Sequence, residues 1–231
     1  MKTVTIHQPN HLPFLGFFDK MADSDVFILY DNTQFKTDDY QNRNRIRLPK
    51  GWIWLTVPVS YDFGTLIKDV KIKDQHWRKT HWKSIEANYS KAPYFNEYKD
   101  RFKRIYDSDW ESLSEFNIAL ITELRDALGI KTKLIRSSEL IPELHSKSTQ
   151  ALVDLCKAAN ADVYISGTDG EKYLDLKKFD DANIKVVFQK YTHPEYRQAF
   201  QGFERYMCAL DLLFNHGPKS LEILHNKTKY H

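Results

Sequence analysis

The sequence predicts an α/β fold built on a mainly parallel sheet that is interrupted by a β-hairpin and a helical insertion. Three observations predict it. Short apolar runs rich in β-branched residues recur at residues 4–6, 26–30, 134–136, 163–165 and 186–188, the pattern of strands covered on both faces. Helical stretches separate most of these runs, so the chain alternates strand and helix as βαβ units do. Between the second and third runs, at about 32–128, that rhythm is replaced by an arginine- and tryptophan-rich hairpin pattern and then by helices. Residues 1–231 therefore read as a single Rossmann-like α/β domain with one large insertion, a length that buries a substantial core.

The first run, Thr3 to Ile6, is β-branched throughout, and Pro9 ends it by removing a backbone donor. His7, Gln8, Asn10 and His11 follow at the strand's mouth, between Pro9 and Pro13 or just before them. Four hydrogen-bonding side chains there are costly to shelter without partners, and strand ends are where open α/β sheets bind ligands. An apolar helix start follows from Leu15 to Met21. The run 25–31 then predicts a second strand, and a parallel crossover brings Asp31 to the same edge as His7. Asp31 is either an orienting partner for the His7 imidazole or a strand-end cap.

Arg43, Arg45 and Arg47 alternate with Asn44 and Ile46, so a strand would present one cationic face. Gly51 precedes a second strand-like run, Trp52 to Val59. Guanidinium forks beside aromatic rings suit a phosphate or diphosphate, and Arg43 and Asn44 are candidate substrate-binding residues; a charged, solvated edge strand is the alternative. Residues 65–73 predict one more short strand. Residues 74–107 predict helix with a break at Pro93, and Trp77, His81, Ile85 and Tyr89 share its buried face. His81 is a candidate base as well as a candidate core histidine.

A helix over 110–128 carries Asn117 within its apolar stripe and closes at Gly129. After the strand at 133–137, Ser148 or Thr149 is expected to cap a helix through Asn160. The strand ending at Ser166 opens into Gly167-Thr-Asp-Gly-Glu-Lys-Tyr173, where Ser166, Gly167 and Tyr173 are candidate ligand contacts, although the segment is neither GxGxxG nor a Walker loop. The strand at 184–189 leads into a polar and aromatic stretch with His193 and Tyr196 as further candidates. An apolar helix at 207–214 stops at Asn215-His216-Gly217-Pro218, and His225 onward reads as a loose tail.

The chain has 34 basic and 31 acidic residues and a formal charge of +3, too balanced for a general nucleic-acid binder, so no direct DNA binding is expected. Cys156 and Cys208 form no CxxC pair and sit in apolar helical settings, which predicts two reduced core thiols and a cytoplasmic setting. No stretch approaches the ~18 apolar residues of a membrane span, and the start lacks a signal-peptide pattern. His7, His11 and Asp31 match no metal-ligand spacing, so no metal is expected.

The ordered pieces IHQPNHLPFLGFFDKM, VFILYDNTQF, QNRNRI, WLTVPV, KAPYF, YISG and DLLFNHG resemble the WbqC-like family, met in bacterial O-antigen and polysaccharide gene clusters. The resemblance runs from about residue 4 to residue 217. It implies a sugar-nucleotide-modifying transferase of lipopolysaccharide biosynthesis, transferring an amino acid such as glycine to the amine of a dTDP-4-amino-4,6-dideoxy sugar. His7, Asp31 and His81 would be the catalytic candidates, and a nucleotide-linked amino sugar and a small amino acid the partners. The acyl group would be activated by ATP on site or arrive on a carrier; the sequence leaves both open, as it does the oligomeric state. A non-catalytic nucleotide-sugar or carbohydrate binding module is the alternative, supported by an aromatic content of 14%.

Overall fold

The computed structural model describes residues 1–225, 229 and 230. Its centre is β1 (Thr3–His7), followed by α1 (Leu15–Ala22) and β2 (Val26–Leu29). The insertion comes next: β3 (Arg43–Arg47), β4 (Trp52–Thr56), β5 (Val59–Ser60), β6 (Lys71–Ile72), α2 (His76–Tyr89), α3 (Phe95–Asp107) and α4 (Leu113–Ala127). The α/β alternation then resumes with β7 (Lys133–Arg136), α5 (Ser137–Leu140), α6 (Ser148–Ala158), β8 (Val163–Ser166), α7 (Leu176–Asp180) and β9 (Lys185–Lys190). The chain ends in α8 (Ala209–His216), α9 (Ser220–His225) and β10 (Lys229–Tyr230).

All five expected strands lie in one sheet of order β10-β9-β8-β1-β2-β7, parallel except for β10 at its edge. Alternation along the strands makes two faces. Val4, Ile6, Val26 and Ile28 pack against α6 and α7 through Val153, Leu155, Cys156 and Phe179. Phe27 and Leu29 join the larger core on the other face, which takes in α1, the insertion, α8 and α9. Helix α4 occupies the crossover position between β2 and β7, with Leu120, Ile121 and Leu124 buried. Chain order reverses at β1: β2 and β7 lie on one side, β8 and β9 on the other. Ligands of open α/β sheets bind at the carboxyl ends of strands beside such a switch point.

Several local expectations are corrected. Residues 65–73 form a 3-10 turn at Ile67–Asp69 and only a two-residue strand, because β6 pairs with the equally short β5 rather than with a long partner. Lys147, not Ser148 or Thr149, is the cap position of α6; Ser148 takes a φ of +53° and the Thr149 hydroxyl accepts from the Asp175 amide. Gly217 does end α8, as its C-cap with a φ of +51°, but the chain turns helical again at once, since Pro218 fits the first turn of a 3-10 segment that leads into α9. His225 is not tail but the last residue of α9, with its ring between Asp19 and Asp23. Residues 226–228 and 231 of the expected tail lie outside the described residues.

Both cysteines are buried free thiols, and burial pushes each pKa up to about 12. A buried carboxylate organises the larger core: Asp211 accepts from Tyr89 Oη at 2.9 Å, Tyr196 Oη at 2.8 Å and Gln198 Nε2 at 2.9 Å. Burial holds the Asp211 pKa above the usual carboxylate value. No helix among the described residues is long and apolar enough to cross a membrane.

Candidate active site

A cavity of about 530 Å³ opens at the carboxyl ends of β1 and β8, the two strands that flank the switch point. From β1 come Ile6, His7 and Gln8; from β8 and the turn after it come Ser166 and 167–170. Tyr30, Tyr164, Tyr173 and Tyr191 add aromatic wall, and Lys20 of α1 adds the cavity's one lysine. The turn packs tightly: a Cβ on Gly170 would lie 2.1 Å from Ser166 Oγ, so only glycine leaves the serine its place.

Lys20 is 4% exposed, and its amine has no hydrogen-bond or ion-pair partner among the described residues. It lies beside the loop, 3.9 Å from where a Gly167 Cβ would sit. Burial lowers its pKa to about 8, opposed by the neighbouring Asp19 carboxylate. Most Lys20 side chains are therefore charged at neutral pH. His7 sits edge-on to Phe17 with Nδ1 3.1 Å from the Gln8 carbonyl, an acceptor that makes Nδ1 the protonated nitrogen. Burial, then the Lys20 charge, pushes its pKa down to about 3, so the ring is neutral. Tyr191 presents a buried hydroxyl with no partner among the described residues.

His7, Gln8, Ser166, Gly167 and Tyr173 thus share one cavity, and the other sequence candidates do not line it. Asp31 follows β2 at the same edge as His7, but its carboxylate is taken by other partners: it accepts from the Ser138 amide at 2.9 Å and from the Ser137 and Ser138 hydroxyls, capping the first turn of α5. Asn10 is buried, with its backbone N–H donating to the Gln8 carbonyl. Asn44 supports the loop from outside, donating to the His11 and Leu12 carbonyls. Arg43 pairs with Asp38 and stacks on Trp54, while Arg45 stacks on Trp52, so the cationic face of the hairpin is laid over its own tryptophans. His193 donates from Nδ1 to the Pro194 carbonyl and accepts the Tyr206 amide at Nε2, and Tyr196 is held on Asp211.

His11 and His81 lie in the core between the loop and the insertion, ring centroids 6.0 Å apart. His11 Nδ1 is 3.3 Å from Asn117 Oδ1, and Asn117 also donates to the Pro9 and Gln41 carbonyls, tying loop, insertion and α4 together. His81 Nε2 meets the Thr56 carbonyl. Burial is the main cause that lowers their pKa values to about 3 and about 4. Each binds fewer protons folded than unfolded, so stability is complete above the unfolded value of 6.5 and is lost as pH falls towards the folded values. Each histidine costs up to about 1.4 kcal/mol per pH unit in that window. Thermal melts between pH 7 and 4 should therefore show a steep fall in Tm below pH 6, shallower in His81→Gln; a flat profile would show that neither ring is held neutral.

Lys20 was absent from the sequence candidates, because a lysine after Asp19 reads as the solvated face of α1. The usable signal was that Leu15, Phe17, Phe18 and Met21 leave that helix no polar face. Among the described residues, one His/Asp set has ligand atoms within 4.8 Å of one another, Asp19, Asp23 and His225; His7, His11 and Asp31 do not form one.

A family model described as the WbqC-like protein family matches residues 8–223. A curated protein of Mycobacterium tuberculosis (strain ATCC 25618 / H37Rv), named "Uncharacterized protein Rv1507c", is 38% identical over 228 residues, covering 97% of this chain and 98% of that protein.

Proposed function

The chain belongs to the WbqC-like protein family, and from that premise we propose that its cavity modifies a sugar nucleotide of surface-polysaccharide biosynthesis, by transfer of an amino acid such as glycine to the amine of a dTDP-4-amino-4,6-dideoxy sugar. The observation that carries the reading is Lys20, a largely buried lysine that lines the cavity with no hydrogen bond from its amine among the described residues, beside a neutral His7 at the switch point. Burial disfavours that cation and the Asp19 carboxylate offsets the cost only in part, so an anion entering the cavity is favoured, and the diphosphate of a sugar nucleotide supplies one.

In this reading Lys20 holds the diphosphate and the tyrosines pack on base and sugar. The sugar amine attacks the acyl carbonyl, the bond to the activating group breaks, and the proton released from nitrogen passes to His7 Nε2. Part of the depression of the His7 pKa comes from the Lys20 charge. A bound diphosphate offsets that charge, so His7 becomes a better base when substrate is in place. Asp31 is left with a positioning role at most, through α5, and His81 with one through the core. The activated donor is an adenylate formed from ATP or an acyl group on a carrier.

A binding module is the second reading, favoured by the same low His7 pKa, which suits a neutral contact as well as a base. Incubation of the protein with nucleotide-linked amino sugars, amino acids and ATP, followed by mass spectrometry, tests both. The expected product is the sugar nucleotide heavier by one aminoacyl group, lost in His7→Ala with substrate binding retained. Binding of the sugar nucleotide with no product under any donor would leave the binding module standing.

A further inference from the structure

A second cavity, of about 430 Å³, lies where two of the pieces that carry the family resemblance meet. Lys91, Pro93 and Tyr94 belong to KAPYF at the break between α2 and α3; Asn215 and His216 belong to DLLFNHG at the end of α8. The two are locked together. The Tyr94 amide donates to the Phe214 carbonyl at 2.9 Å, and the Tyr94 ring lies so close to Gly217 that a Cβ there would be 2.4 Å from it. Gly217 also has a φ of +51°, so this contact is available to glycine alone without strain. Arg197 to Ala199 close the third side. His216 Nε2 donates to the Arg197 carbonyl at 2.9 Å, and Gln198 is anchored on Asp211 and on the Glu204 amide.

The charge of this cavity is one-sided: four of its nine lining residues are Lys91, Arg197, His216 and Lys219, and none is acidic. The whole chain, with 34 basic and 31 acidic residues, is nearly balanced. Elsewhere Arg43, Arg78, Arg101 and Arg136 are paired with carboxylates. Among the described residues, the side chains of Lys91, Arg197 and Lys219 make neither hydrogen bond nor ion pair. The carbonyl end of α8 contributes about half a negative charge, which three permanent cations outweigh. We infer that this cavity is a second anion site, separate from the one at the switch point, and that it takes a phosphoryl group: a phosphate ester or diphosphate. Arg197, Lys91 and Lys219 are exposed side chains over that floor, and a guanidinium together with two ammonium groups is the chemistry that recognises such a group, whereas a single carboxylate would leave most of the donors unused.

Inorganic pyrophosphate is the probe, titrated calorimetrically into the full chain at low salt. Lys20→Met removes the cation of the first cavity and leaves one pyrophosphate site. Adding Arg197→Gln and Lys219→Gln to Lys20→Met is expected to weaken that site at least tenfold, and raising the salt should weaken it as well. All three substitutions are uncharged replacements, and the melting temperature of each variant checks that it folds. Absence of pyrophosphate binding by Lys20→Met, or an affinity that changes less than twofold on removing Arg197 and Lys219, overturns the inference. The reading of the first cavity is untouched by either result, because that reading stands on product formation.

Discussion

Lys20→Met is expected to lower kcat/KM for the sugar nucleotide by about 100-fold while leaving the protein as stable as before or more so. The activity loss follows from removing one charge-assisted contact to phosphate, about 1.5–3 kcal/mol. The stability effect has the opposite sign. Lys20 has a folded pKa of about 8 against an unfolded 10.5, so the folded state gives up its proton more readily and the charge opposes folding at neutral pH. A drop of that size corresponds to roughly 3 kcal/mol. The wild-type chain should therefore gain stability as pH rises from about 8 to 10.5, and Lys20→Met should already have that gain at pH 7. Denaturant melts across that range together with initial rates check both halves. Unchanged kcat/KM would remove Lys20 from the site; a destabilised variant would mean that the amine has a structural partner.

Asp211→Ala is expected to cost about 4 kcal/mol of stability, some 10 °C in Tm for a chain of this size. Alanine would leave the hydroxyls of Tyr89 and Tyr196 buried with no acceptor and the Gln198 amide with the Glu204 carbonyl alone, and each unmet group costs about 1–3 kcal/mol. The effect spreads because Tyr89 Oη also accepts the Arg47 amide of β3, while Gln198 fixes the segment after β9. Asp211→Asn keeps one acceptor oxygen and should lose about half as much. Burial raises the Asp211 pKa while its hydrogen-bond donors and the Arg47 charge lower it, and a variant that keeps an acceptor oxygen without the charge separates the two contributions. Equal losses in the two variants would show instead that the charge is what the core requires.

The five parallel strands were legible because a strand covered on both faces is an unbroken apolar run, and Val26 to Leu29 or Val163 to Ile165 has no helical period to confuse it. The hairpin was legible from Gly51 and the alternating arginines. Where those arginines go was not: alternation places them on one face, but only the register, which sets Arg45 opposite Trp54, brings tryptophan under the guanidinium groups. His7, Gln8, Ser166 and Gly167 could be brought to one place from sequence because each directly follows or ends a strand of the sheet. Asp31 follows a strand as well, yet the four-residue α5 claims its carboxylate, and so short a helix has no periodicity to read. Lys20 was hidden for the converse reason, as a charged residue on a helix that the fold encloses on every side.

The interrupted crossover has a consequence for how the chain folds. β2 and β7 are neighbours paired Val26 to Lys133, yet residues 30–132 lie between them, so their register cannot zip up from a local turn. Closing a flexible loop of that length costs about 4 kcal/mol of chain entropy before any contact returns it. The hairpin and α2–α4 reduce that cost by collapsing first, because β3 with β4 and α2 with α3 join segments close in sequence. The inserted segment is therefore expected to form ahead of the long-range pairing that docks β7, the sheet's outer strand.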